Sequence, residues 1–167
     1  MTGLTVRVIL QDIKKVETEA LVVGFFQDVR PLKGVAGQLD WLLCGALSSL
    51  LIKNKLRGSL GDVALLTSRG KVPAQKIFLV GLGPKAGFSS SSLRMAVKTA
   101  IVSVLGAGIT NTAVEYFQTQ GDSSEKSLPA FREGLIDGAG VRTLAVSILA
   151  PDRESYEQLS RLMGDAG

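Results

Sequence analysis

Two short runs in this chain are apolar without alternation: ALVVGF over 20–25 and, after its leading lysine, KIFLVGL over 76–82. A strand with one face in water alternates apolar and polar side chains, so an unbroken apolar run implies cover on both faces. That requirement constrains the fold more than any other feature, because it calls for a sheet with helices on each side. The rest of the chain supplies them. Over 35–53, Val35, Leu39, Leu42, Leu43, Ala46, Leu47, Leu50 and Leu51 recur at three- and four-residue spacings, which predicts one long helix with a broad buried stripe. Ser89 to Ser92 offer N-cap hydroxyls for a helix over 90–106, stopped by Gly106-Ala107-Gly108. Further helices are predicted over 128–140 and 152–163, and strands over 62–68, 111–117 and 143–149. Residues 4–10 alternate, with Leu4, Val6, Val8 and Leu10 on one face and Thr5 and Arg7 on the other, as in a half-exposed strand near a sheet edge. The segment 69–73 reads as a hairpin-like loop and the polar stretch 118–127 as a mobile one. Alternating strands and helices predict a single α/β domain over 1–167. Its expected form is three-layer α/β/α around a mixed, mostly parallel sheet of about six strands, with the early strand–loop–strand pair adding an antiparallel edge.

Against this framework the chain carries little chemistry. It has no histidine, and its one cysteine, Cys44, is predicted to lie inside the apolar helical run. Imidazole and thiolate are the usual bases, nucleophiles and soft metal ligands near neutral pH, so their scarcity closes most catalytic routes. Asp12, Glu17, Glu19, Asp28, Asp40 and Asp62 show no paired spacing for a general-acid pair or a hard-metal cage. No catalytic residue, metal site or cofactor is therefore expected in this chain. Its apolar share of 46% against 20% charged is high enough to suggest that a partner covers part of the surface. A net charge of +4 gives weak attraction to polyanions, but the basic residues are scattered and no aromatic ladder accompanies them. The tightest group, Lys53, Lys55 and Arg57, suits a solvated helix end, and nucleic acid stays a minor alternative. A lone cysteine cannot form an internal disulfide, the first residues do not read as a signal peptide, and no apolar stretch reaches spanning length. A cytoplasmic setting with no membrane role is the expectation.

Two glycine turns are candidate ligand sites. Gly81-Leu82-Gly83 falls after a strand and before a helix, where open α/β sheets bind ligands, and glycine lets backbone amides approach a phosphate. Pro84 removes a donor and Gly87 is one position late for a dinucleotide fingerprint, so an ordinary turn is the competing reading. Gly34-Val35-Ala36-Gly37 opens the long helix and offers a second cradle, with close packing against the sheet as its alternative. Asp12 follows a strand and either caps a turn or borders the ligand. Trp41, on the outer side of its helix, either packs against a flanking loop or anchors an interface.

In order along the chain, EALVVGF over 19–25, GVAGQLDWLLCGAL over 34–47, the Arg57-Gly58-Ser59-Leu60-Gly61-Asp62 turn and KIFLVGLG over 76–83 resemble the N-terminal domain of the leucyl aminopeptidase family. The Leu39-Asp40 pair and the Val-Gly-Leu-Gly turn carry most of that likeness, and Leu93 to Ala100 fit the family's next helix. The resemblance implies a macro-domain-like fold. It implies no catalytic residue here, because the family keeps its two-metal site, expected to hold manganese or zinc, in a second domain whose motif this sequence lacks. The implied role is assembly, by homo-oligomerisation or docking to a peptidase-type partner; a fragment of a metal-dependent aminopeptidase is a further reading. Gln11-Asp12-Ile13-Lys14-Lys15-Val16-Glu17 also looks like the opening of ADP-ribose-binding macro domains. By that likeness Asp12 would stand at the adenine-contacting position and Gly34 to Gly37 at the phosphate loop. Val23 and Phe26 stand where macro domains carry asparagines, and Gln11 replaces a glycine, which argues against hydrolysis and against tight ADP-ribose binding. The ligand alternative is thus a module for a nucleotide or phosphate compound, lost if Phe25, Phe26 or Leu82 fill the cleft.

Overall fold

A computed structural model describes residues 3–117 and 124–164. The chain runs β1 (Gly3–Ile9), β2 (Ala20–Phe25), α1 (Gly34–Leu42), α2 (Ala46–Ile52), β3 (Val63–Thr67), β4 (Lys76–Gly81), α3 (Ser90–Gly106), β5 (Asn111–Glu115), α4 (Ser124–Ala139), β6 (Thr143–Leu149) and α5 (Arg153–Gly164). The described strands form one sheet in the order β1-β6-β5-β2-β4-β3. Every neighbouring pair is parallel except β3 with β4. The antiparallel edge is therefore β3, and the early pair expected to provide it is not a pair. β1 lies at the opposite edge, parallel to β6, because the crossover from β1 to β2 leaves room for β6 and β5 between them.

Two-sided cover of the central strands is as the apolar runs required. Ala20 and Val22 of β2, with Phe78 and Val80 of β4, face a core closed by α3, α4 and Leu159 of α5. Leu21 and Val23, with Ile77 and Leu79, face a second core closed by α1 and α2. All eight side chains are at most 2% exposed, and fully burying an aliphatic side chain of the larger kind is worth roughly 1.5–3 kcal/mol. The layers are therefore α1–α2, sheet, and α3–α4–α5.

The helix predicted over 35–53 is two helices bent by 105°. Cys44 (φ 55) and Gly45 (φ 81) take left-handed conformations between them, so Cys44 is exposed at a corner rather than enclosed in a helix. Side-chain periodicity continues through the corner, with Leu39, Leu43 and Leu47 all buried, which is why the spacing concealed the break. Asp40 holds it. Its carboxylate accepts from the Ser48 N–H at 3.0 Å and also from the Ser48 hydroxyl, capping the first turn of α2 from the helix before it. Farther along, α4 begins at Ser124, a turn before the predicted start at 128. Part of the loop read over 118–127 lies outside the described residues.

The two longest helices meet backbone to backbone. A Cβ on Gly134 would stand 2.7 Å from the Arg94 carbonyl oxygen and from Val97 Cβ, and one on Gly138 2.7 Å from Ile101 Cβ. Replacing Gly134 by alanine sets a helix-propensity gain of about 1 kcal/mol against overpacking of about 1–3 kcal/mol. The clash with backbone decides the sign, so Gly134→Ala destabilises in urea unfolding. Gly106→Ala, at a site with nothing within 4 Å, stabilises by several tenths of a kcal/mol. Asp40→Ala, measured in the same series, costs about 1–2 kcal/mol through the lost cap.

Candidate ligand cleft

At the carboxyl ends of the parallel strands, where α/β sheets place ligands, a cleft of about 240 Å³ opens between the end of β2, the end of β5 and the start of α1. Its walls are mostly apolar, with Phe25, Phe26, Leu32, Leu82 and Phe117 among them, and among the described residues Glu115, Lys33 and Tyr116 are the ionisable ones lining it. Gly24 sits where a Cβ would meet Phe117 and Leu82 at 2.8–2.9 Å, so glycine lets those side chains close over the strand end.

Glu115 is the group that organises this place. It follows three fully buried residues, Thr112, Ala113 and Val114, at the end of β5. Its Oε2 accepts from the Gly24 N–H at 2.9 Å, and the start of α1 turns the Val35 N–H toward the same carboxyl. Nothing local caps α1: Lys33, its N-cap residue, makes no side-chain cap bond, and the first turn holds no acidic residue. A carboxylate from another strand performs that task, where free amides and the helix dipole favour negative charge. Enclosure pushes the Glu115 pKa up to about 7, while the amide bonds from Gly24 and Val35 pull it back part of the way.

The predicted site residues divide. Gly34 and Leu82 line the cleft, and Val35, whose amide faces Glu115, is not among the lining residues. Gly34 has φ +59, and a Cβ there would lie 3.6 Å from Glu115 Oε1. Gly37 packs instead: a Cβ would stand 2.5 Å from the Leu32 carbonyl oxygen. The Gly81-Leu82-Gly83 amides are all engaged. Gly81 N–H donates to Asp62 O at 2.8 Å, Leu82 N–H to Phe25 O at 3.0 Å and Gly83 N–H to Gly58 O at 2.9 Å. Gly81 is glycine because the 58–59 backbone crosses it, with Ser59 O only 2.1 Å from an imagined Cβ. Asp12 is exposed, accepts from Lys14 N–H at 3.0 Å and Gln38 Nε2 at 3.4 Å, and is not among the residues lining the cleft. Trp41 stands 80% exposed on α1. Among the described residues no three His, Cys, Asp or Glu side chains converge on a place for a metal ion. Sequence reasoning missed Glu115 and Gly24. The available signal was one glutamate ending an apolar strand, in NTAVEYF.

The fold is an α/β fold of the macrodomain type. A Trypanosoma brucei macrodomain solved in complex with ADP-ribose superposes with TM-score 0.69 at 16% identity, over 95% of this chain and 69% of that one. A tomato leucine aminopeptidase variant does so with TM-score 0.71 at 22% identity, over 96% of this chain and 35% of that one. The profile of the "Cytosol aminopeptidase family, N-terminal domain" matches residues 22–139, and the chain belongs to that family. A "Probable cytosol aminopeptidase" of Geobacter sulfurreducens is 38% identical over 95 residues, which is 56% of this chain. The chain spans about a fifth of that relative's length, 19%.

A carboxyl with a raised pKa holds its proton more tightly folded than unfolded. Its contribution to stability is therefore full below the unfolded value of 4.5 and is lost as pH rises to about 7. The span corresponds to about 3 kcal/mol at most. In urea titrations from about pH 5 to about pH 8, Glu115→Gln removes this decline and gains on the parent most at the alkaline end. An unchanged slope in the variant would place the pH dependence elsewhere.

Proposed function

We propose that this domain acts without chemistry of its own, as an accessory and assembly module of the cytosol aminopeptidase type, through self-association or docking to a catalytic partner. The observation that carries the reading is the outer face of the α1–α2 layer, where Trp41 is 80% and Ile52 82% exposed. Tryptophan is enriched among the residues that anchor protein interfaces. The family assignment supports it, since the match is to a domain that forms a minor part of its relatives. The family description also favours a cytosolic setting.

A second reading, a nucleotide or phosphate module, has in its favour the cleft and the likeness to a macrodomain that holds ADP-ribose. Against it stand the apolar lining by Phe25, Phe26 and Leu82 and the engaged amides of Gly81 to Gly83. Aminopeptidase turnover is expected only with a further domain and its manganese or zinc, so a peptidase assay of this chain with added metal should read zero.

Light scattering after size exclusion separates the first two readings. The expected result is an oligomer that Trp41→Ser weakens by about 2 kcal/mol or more, with a melting point indifferent to ADP-ribose. A monomer whose melting point climbs several degrees with ADP-ribose would overturn the assembly reading, because such stabilisation follows from binding the native state.

A further inference from the structure

Phosphate groups are commonly held by the free amides at a helix N-terminus, where an adjoining glycine allows close approach. Here the corresponding amides belong to Val35, at the start of α1, and Gly24, in β2, and they converge from two elements that the fold brings together. The place they define is already filled. Glu115 reaches it from β5, with Oε2 2.9 Å from the Gly24 nitrogen and Oε1 beside the open side of Gly34. Gly34, with φ +59, keeps that side clear, and Lys33 does not cap the helix in competition.

We infer that Glu115 is the specificity-determining residue of this cleft: its carboxylate is the resident anion of the Gly24–Val35 cradle and excludes phosphate-bearing ligands. Two features make the exclusion effective. The carboxylate forms its bonds within the molecule, without the loss of translational freedom that an incoming phosphate must offset. An entering phosphate would also meet a like charge across a few ångströms of poorly solvated space. Among the described residues Lys33 is the basic side chain lining the cleft, and its exposed position leaves it screened by water, while the Tyr116 hydroxyl is paired with Ser127. The inference does not depend on whether the domain self-associates. It makes the macrodomain-type cleft a closed site, opened by withdrawal of one side chain.

The test uses the full chain and inorganic pyrophosphate as the probe. At a pH about one unit above the Glu115 midpoint, the parent protein should give no saturable heat in titration calorimetry and no change in melting point. Glu115→Ala should bind at least about tenfold more tightly than the parent's detection limit, with a melting point that climbs with pyrophosphate. Binding by the parent at that pH, or its absence in a folded Glu115→Ala protein, would overturn the inference. A second measurement avoids the variant. In the parent, the Gly24 and Val35 amide proton resonances should shift together with pH and share one midpoint, since both face one carboxyl. Independent or pH-insensitive resonances would show that Glu115 does not occupy the cradle.

Discussion

Two-sided burial of β2 and β4 is the constraint from which the rest of this domain follows. Neither strand has a face to give to water, so each needs hydrogen-bonded neighbours along both edges and a helical layer above and below. β4 gains β3 on its outer side, and β2 is flanked by β4 and β5. Aliphatic side chains of alternate parity then feed two separate cores, one beneath α1–α2 and one beneath α3–α4–α5. α3 and α4 approach closely through Gly134 and Gly138, and their layer closes the core that takes side chains from β2, β5 and β6.

The same arrangement explains where polar groups accumulate. Parallel strands leave their carboxyl ends together at one edge of the sheet, and the helix that follows β2 begins there with unpaired amides. In this protein the demand is met internally. Glu115 serves a helix that its own neighbourhood leaves uncapped, much as Asp40 serves α2 across the bend. Each acidic side chain stands in for a cap residue missing from the local sequence.

Much of this was legible in the residues. The apolar runs announced the covered strands, the serines at 89–92 the start of α3, and the ordered motifs the family. The bend at Cys44–Gly45 was not legible, because leucine spacing reports which side chains are buried and is silent on a pair of left-handed residues. Strand order was misplaced for a related reason: alternation in β1 identifies an edge but not the edge's partner. Glycine patterns pointed to Gly34 and Leu82, which line the cleft, whereas Glu115 escaped because its significance depends on a contact across 91 residues with Gly24. Asp12 satisfied a motif by position, while its bonds, to Lys14 in its own turn and to Gln38 of α1, leave it outside the residues lining the cleft.

The turn after β4 is tied to two segments, the 57–62 turn through Asp62 and Gly58 and the end of β2 through Phe25, and the crossing at Gly81 leaves no room for a side chain. One wall of the cleft is therefore a fixed jamb. The opposite wall hangs on a carboxyl that can gain or lose a proton and on a helix start with no local fastening. The two sides of the cleft are thus secured by different means, one by crossed backbone and the other by a single side chain.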